Sequence, residues 1–375
     1  MINSNQKKIL IFSSEFPPTL GGAGSVAEQN AIALAELGHD VTVLTKFRKE
    51  VKLPNEKLFK MITVKTLPKL WFLGYMNATQ FKDYDFIFLN DVASIYTAGL
   101  LFSKSLLTRC LCFLHGSEIE SIYKSNNLIR KITWFKLFYS RALRFCKLII
   151  SPSYFLQNKF IYESKISDIN WNKVIVSYAG VNERKFFPDI RHSLRKELSI
   201  PENSILLVSV SRVVKEKGYP KKYEIFQNLI TKHKKQLYWL IVGEGEYLEK
   251  LKNKVKQDSL QERVIFLGKL PRNELRKVYS SSDLFWLLSD YEESFGLVYI
   301  EAQMCGIPVV AQRKGGVTEA VKENVTGFLV DNQEQCQNLL KLEQWKNLKR
   351  ENILAFANYF SLRKRIQYLL NFLLL

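Results

Sequence analysis

Between Asp283 and Val310 the chain reads Asp-Leu-Phe-Trp-Leu-Leu-Ser-Asp-Tyr-Glu-Glu-Ser-Phe-Gly-Leu-Val-Tyr-Ile-Glu-Ala-Gln-Met-Cys-Gly-Ile-Pro-Val-Val, and this order leaves few folds open. The apolar run Leu284 to Leu288 is short and bounded by Asp283 and Ser289, which suits a buried parallel strand better than a helix. A polar loop follows. From about Phe295 the residues suit a helix, which Gly306 ends, with Pro308 just beyond and a new strand opening at Pro308-Val309-Val310. Ser294-Phe295-Gly296-Leu297 is therefore read as a helix N-terminus at the carboxyl end of a parallel strand. In an open α/β sheet ligands bind there, and unpaired amides with the positive end of the helix dipole favour a phosphate.

Two carboxylates bracket this turn. Glu293 precedes it, and Glu301 follows Leu297 by about one helical turn, on the face that carries the first turn. A carboxylate beside bound phosphate is electrostatically unwelcome unless it accepts hydrogen bonds from neutral hydroxyls. Phosphate together with polyol describes a nucleotide sugar; taken as a bare pair, the two acids read equally as solvated helix-end charges.

Similar strand-and-turn units recur along the chain. Lys8 to Ser13 is a strand leading into a Pro17-Pro18 loop with Gly21, Gly22 and Gly24; a helix over Ser25 to Leu37 and a strand over His39 to Leu44 complete a βαβ unit. Cys110 to Leu114 is a strand ending in His115-Gly116-Ser117-Glu118. Ser204 to Ser209 is another, followed by Arg212 and Lys217 on the same side of the sheet as the Glu293 loop. Arginine offers a planar fork that suits phosphate and lysine a point charge, although alone the two read as surface cations. Asp83-Tyr84-Asp85 leads directly into the strand Phe86 to Leu89, an ordinary place for an Asp, so no metal site is assigned to it.

A chain of 375 residues, 47% hydrophobic, can bury two ordinary cores, which sets two domains as the expectation. The five cysteines, Cys110, Cys112, Cys146, Cys305 and Cys336, are scattered and lack paired metal-ligand spacing; they read as reduced and buried, with no zinc site. No apolar run approaches the roughly 20 residues of a membrane span, and the Met1 to Leu10 stretch lacks a signal-peptide pattern. A cytoplasmic location is expected. The formal net charge of +19 favours an anionic partner: nucleic acid, an anionic membrane face or a phosphorylated substrate. From Lys124 to Lys147 the chain carries Arg130, Lys131, Lys136, Arg141 and Arg144, no acid, and interleaved Ile129, Trp134, Phe135, Leu137, Phe138 and Leu143. That is a basic amphipathic helix, which suits either an anionic lipid surface or packing on a sheet.

Glu293 and Glu301 with seven residues between them, inside Glu-Ser-Phe-Gly-Leu-Val-Tyr-Ile-Glu-Ala, resemble the signature of retaining glycosyltransferases of family 4, which have the GT-B fold. The resemblance covers nearly the whole chain and is strongest from Ser209 to Val330. It implies two Rossmann-like α/β domains facing across a central cleft: residues 1–188 as the acceptor-binding domain, 189–354 as the nucleotide-sugar domain, and a helix over 355–375 crossing back to the first. It also implies roles. Arg212 and Lys217 clamp the donor diphosphate with the Phe295, Gly296 and Leu297 amides, Glu301 holds ribose hydroxyls, Glu293 the sugar, and the Gly21-Gly22 loop faces the donor phosphates. His115 stands beside the reacting sugar carbon, Glu118 lies on the acceptor side, and the end of the Val264 to Leu270 strand supplies backbone to the base. The catalytic residues so implied are His115, Arg212, Lys217 and Glu293. Ala179 and Asn182 stand where the family usually has Asn and Asp, which removes the polar contacts those side chains make.

The function expected is that of a retaining, hexosyltransferase-type enzyme. It would move a sugar from a nucleotide-diphosphate donor, UDP-linked in the first instance, to a hydroxyl of a glycan, lipid-linked or surface-polysaccharide acceptor. No cofactor, no metal and no specific nucleic acid are expected, and the protein would work in the cytoplasm, peripheral on the inner face of the plasma membrane. Two other readings stay open at this stage: a sugar-nucleotide epimerase of the same fold, and a non-catalytic basic protein that binds membrane or nucleic acid.

Overall fold

The structure is a computed structural model that describes residues 6–17, 22–47, 58–65, 71–76, 78–124, 133–189 and 194–374. Gly21 and the Ile129–Lys131 part of the basic stretch lie outside them. The chain forms two compact units, Met1–Gly180 together with Leu362–Leu375, and Val181–Ser361. The sequence reading put the junctions at 188 and 354; the contacts put them at 180 and 361. A strand-like bridge between Val181 and Ser361, with Val181 N–H donating to the Phe360 carbonyl at 2.9 Å, ties the linker residues into the second unit.

The first unit holds a seven-stranded sheet built from β1 (Lys8–Phe12), β2 (Asp40–Lys46), β3 (Lys60–Val64), β4 (Phe86–Leu89), β5 (Cys110–Phe113), β6 (Leu148–Ser151) and β7 (Val174–Val176), in the order β3-β2-β1-β4-β5-β6-β7. Every pairing is parallel. Parallel strands are covered by helices on both faces, so they read as continuous apolar runs, and the period of two then sorts residues to opposite cores. Leu10, Phe12, Ile87, Leu89, Cys110 and Cys112 enter one core, while Ile9, Ile11, Phe88, Leu111 and Phe113 enter the other. The helix Leu362–Leu374 completes the second core: Leu362, Ile366, Leu369, Leu370 and Leu373 recur at helical spacing and pack with Ala27, Ala31 and Leu34 of the helix Gly22–Glu36. Each fully buried leucine of that stripe contributes about 1.5–3 kcal/mol.

The basic stretch resolves into a helix over Phe135–Phe145 whose Tyr139, Ala142 and Leu143 are buried. It packs on the helix Val92–Leu101, where Tyr96 stacks on Phe135 with ring centroids 4.1 Å apart and Arg141 donates to the Gly99 and Phe102 carbonyls. Most of its apolar positions therefore belong to the core. Trp134, 66% exposed, and Leu137, 54% exposed, do not.

The second unit holds β8 (Ile205–Val210), β9 (Leu237–Val242), β10 (Val264–Gly268), β11 (Leu284–Leu287), β12 (Val309–Gln312) and β13 (Gly327–Val330), in the order β10-β9-β8-β11-β12-β13, again with parallel pairings throughout. Its core centres on Trp239 and Trp286, with ring centroids 5.0 Å apart. Lys222 is buried among them: its ammonium lies 3.8 Å from the Tyr219 ring centroid and donates to Ser209 Oγ at 2.9 Å. Burial pushes the Lys222 amine well below the usual lysine range, and Lys217 and Lys221 push it the same way. All five cysteines are buried with free thiols, and burial pushes Cys305 and Cys336 up to about 12.

Candidate active site

In both sheets the strand order reverses beside the first strand, between β1 and β4 in one and between β8 and β11 in the other. The crevice at the carboxyl ends of such a strand pair is where a doubly wound sheet receives ligands. In the second unit the loop after β8 carries Arg212 and Lys217, and the loop after β11 carries Glu293. The loops are joined by the Asp290 N–H donating to the Glu216 carbonyl at 2.7 Å. Gly218, at φ +72°, turns the chain into the helix Tyr219–Thr231 where any side chain would collide with the Leu288 carbonyl, so the two loops approach each other through a glycine.

Across this approach Lys217 Nζ donates to Glu293 Oε1, with the two side chains 13% and 20% exposed. The Lys217 ammonium also lies 5.7 Å from the Tyr291 ring centroid. Arg212 is exposed, and its guanidinium has no hydrogen bond or ion pair among the described residues. The next helix, Leu297–Met304, begins at Gly296 with φ +94° and no side-chain cap, so its first amides have no side-chain acceptor. Phe295 is buried with its ring 5.3 Å from that of Phe360, which leaves only its backbone for any ligand. The Glu293 carbonyl accepts the Gly316 amide at 2.8 Å, which fixes the loop from below. The loops after β8 and β11 thus carry Arg212, the Lys217–Glu293 pair and, just beyond Glu293, a helix N-terminus.

Glu301 is 3% exposed on the same helix. Arg272 donates to its Oε1 and the Tyr279 hydroxyl to its Oε2 at 3.3 Å. Burial raises its carboxyl above the usual range, against the opposing pull of Arg272 and Tyr279. Burial likewise raises the Tyr279 phenol, helped by the Glu301 charge. Arg272 is not among the site residues expected from the sequence. No local pattern marks it, because its partner lies on another element; only its place beyond the end of β10 hints at it. Below the crevice, Ser209 Oγ donates to the Trp286 carbonyl at 2.7 Å and receives Lys222 and the Trp239 indole N–H, so a polar knot sits under the end of β8.

In the first unit His115 follows β5. Its Nε2 lies 2.5 Å from the Asn90 carbonyl, and since a carbonyl only accepts, Nε2 carries a proton and donates it to that bond. Glu118 is fully buried and accepts the His115 amide at 2.7 Å on Oε1 and the Gly116 amide at 2.7 Å on Oε2. It therefore shapes the histidine loop, with both oxygens engaged by backbone. His115, Asn30, Tyr178 and Arg365 line one crevice of this unit. Asp91 caps the helix Val92–Leu101 and receives the Ser14 and Glu15 amides at 2.6 and 3.0 Å, fixing the loop after β1. Gly22 opens its helix with empty space where a side chain would stand. Asp85 of the Asp83-Tyr84-Asp85 stretch accepts the Lys8 amide at 2.8 Å.

The structure thus places Lys217 against Glu293, with Arg212 on the Lys217 loop, the Phe295-Gly296-Leu297 turn directly after Glu293, and Glu301 further along that helix. His115 and Glu118 share a loop of the other unit.

Among proteins of known sequence, N-acetyl-alpha-D-glucosaminyl L-malate synthase of Bacillus anthracis is 28% identical over 84% of this chain and 81% of its own. The O-antigen biosynthesis glycosyltransferase WclY of Escherichia coli is 30% identical over 52% of each chain, so this chain spans about half of that relative. Among solved structures, Anabaena HepE in complex with UDP-glucose superposes with a TM-score of 0.79 over 98% of this chain and 99% of its own, at 21% identity. Residues 20–185 match the family model of Glycosyltransferase Family 4, and residues 190–353 that of Glycosyl transferases group 1. Two adjoining family matches of this kind, on a fold shared from end to end, make the protein a group 1 glycosyltransferase of the GT-B class.

Proposed function

We propose that the protein moves a hexosyl group from a nucleotide-diphosphate sugar, with uridine as the nucleoside, to a hydroxyl of a glycan or lipid-linked acceptor, and that the anomeric configuration is retained. The observation that carries this reading is the Lys217–Glu293 pair, with Arg212 on the same loop as Lys217 and the uncapped Gly296-Leu297 helix start just after Glu293. Cations and a helix start suit a diphosphate, and the Glu293 carboxylate beside them suits sugar hydroxyls. The HepE structure, solved with UDP-glucose, supports a donor of this type.

In the reaction the bond between the anomeric carbon and the donor phosphate oxygen breaks, and a bond to the acceptor oxygen forms on the same face. The acceptor proton passes to the departing phosphate. Arg212, Lys217 and the helix amides stabilise the charge that develops on the diphosphate, which is where catalytic binding is most effective. Glu293 holds the sugar as it gains oxocarbenium character, and Glu301 holds the ribose. His115, with a proton fixed on Nε2, belongs to the acceptor side, and Glu118 positions it. The scheme assigns no step to a metal or cofactor.

We place the enzyme at the cytoplasmic face of a membrane. Among the described residues no helix is long and apolar enough to cross one. Exposed Trp134 and Leu137 flank Lys136, a pairing of apolar and basic side chains that suits an anionic interface. The test of the function is incubation with UDP-hexoses and a panel of lipid-linked and free glycan acceptors, followed by analysis of the product anomer. Acceptor-dependent release of UDP with an α-linked product from an α-linked donor is expected. Donor consumption without acceptor would indicate epimerase or hydrolase chemistry, and an inverted product would exclude retention.

A further inference from the structure

We propose that Lys222 gains a proton when the donor diphosphate binds, and so adds a buried positive charge behind the cations that receive it. The inference rests on the donor site proposed above and gives that site a positioning residue that does not touch the donor.

Lys222 stands one helical turn behind the Lys217 loop: its amide donates to the Gly218 carbonyl at 2.9 Å, and its side chain has no exposed surface. Its Nζ donates to Ser209 Oγ at 2.9 Å. The same Ser209 oxygen receives the Trp239 indole N–H at 3.1 Å and donates to the Trp286 carbonyl at 2.7 Å, which ties the end of β8 to β11 just ahead of Arg212. The Tyr219 hydroxyl shares a hydrogen bond with Ser211 Oγ at 3.0 Å. The loop that carries Arg212 therefore rests on Lys222 and its neighbours at two points.

The surroundings hold the charge of this amine in balance. Three aromatic rings face Nζ, with the centroids of Tyr219 at 3.8 Å, Trp239 at 5.3 Å and Trp286 at 5.8 Å, and such a cage favours the ammonium form. Burial opposes that form, and so do the charges of Lys217 and Lys221. The other titratable neighbours are neutral: burial pushes the Cys336 thiol, on the helix Gln333–Lys341, up to about 12, and raises the Tyr219 phenol. No carboxylate is among the groups that act on Nζ. With one hydrogen-bond acceptor and no acid, the amine is neutral until the site fills.

A diphosphate at Arg212 and Lys217 reverses the local field. It brings negative charge to the cations that until then repel a proton from Lys222, and the aromatic cage then favours the ammonium without opposition from them. The proton comes from solvent and the amine lone pair accepts it; no bond of the donor changes. A purely structural lysine would support the loop without exchanging protons on binding, so proton linkage separates the two roles.

The experiment is calorimetric titration of UDP-glucose into the full chain at pH 7.5, in buffers of different ionisation enthalpy, for wild type and Lys222→Met. UDP-glucose is the probe because its diphosphate has no group that titrates near neutral pH. Wild type is expected to take up roughly half a proton per donor bound, and its affinity to fall about threefold to tenfold between pH 7 and pH 9. The direction follows from linkage: binding that takes up a proton weakens as protons become scarce. In Lys222→Met both the uptake and that pH dependence are expected to vanish. The 13Cε resonance of Lys222 in wild type decides the matter if the variant does not fold; it is expected to report a neutral amine without donor and an ammonium with it. The inference is overturned by donor binding without proton uptake, by uptake that persists in Lys222→Met, or by a resonance that already reports an ammonium in the empty protein. No binding of UDP-glucose at all would overturn the donor-site reading itself, which keeps the two failures apart.

Discussion

Lys217 and Glu293, separated by 76 residues in sequence, hold each other across the crevice between the ends of β8 and β11. The pair brings the two loops together and keeps a carboxylate close to where positive charge gathers. A diphosphate arriving at Lys217 would compete with Glu293 for the ammonium, which would release the carboxylate toward the sugar hydroxyls. Arg272 and Glu301 stand in the same relation further along the helix. Both acids of the motif are thus ion-paired before any ligand is present.

Arg212→Ala is expected to lower turnover by two orders of magnitude or so, the scale for losing one preorganised donor to a developing anion. Stability should stay within about 0.5 kcal/mol of wild type, because the side chain is exposed and its guanidinium has no hydrogen bond or ion pair among the described residues. Initial rates and denaturant unfolding on the same preparation check both halves.

Glu118→Ala is expected to cost roughly 2–4 kcal/mol of stability, since two amides lose a buried charged acceptor. The acceptor KM should change less than kcat, because the residue acts through His115. An effect confined to acceptor KM would assign Glu118 a direct contact.

Glu301→Gln should reduce the preference for UDP over 2′-deoxy-UDP, as the carboxylate proposed to accept from ribose hydroxyls is lost. Competitive inhibition by the two nucleotides measures it. An unchanged preference would remove Glu301 from the ribose.

Lys222→Met tests the buried amine. Its folded pKa lies below the unfolded value near 10.5, so between the two values the folded state binds fewer protons and the lysine's penalty falls as pH rises. The variant should be more stable than wild type by about 1–3 kcal/mol at pH 7, net of the lost Ser209 bond, and the gap should close toward pH 10. Denaturant unfolding at pH 6, 7.5 and 9 follows the gap directly.

The alternation of short apolar runs with Gly-closed helices is legible because parallel strands covered on both faces are buried at every position, as Ile205 to Val210 are, and so are apolar at nearly all of them. The Glu293 to Glu301 spacing is legible for a similar reason: one turn and one helix start are local. Arg272 and Lys222 are not, since each takes its meaning from partners on other elements. The same holds for Glu118, where only the folded loop shows both carboxylate oxygens meeting backbone amides. The basic stretch before β6 was legible as amphipathic, but which side its apolar residues serve depended on Tyr96 and the Val92–Leu101 helix.

The most direct test of the account is thermal unfolding of wild type and Arg212→Ala with UDP, GDP and ADP, in EDTA and again with Mg2+. A ligand bound only by the folded state raises the transition in proportion to its saturation. The account predicts a clear upward shift for wild type with UDP in EDTA and a much smaller one for Arg212→Ala. No shift with any nucleotide under either condition, or equal shifts in both proteins, would contradict the assignment of the β8–β11 crevice as the donor site.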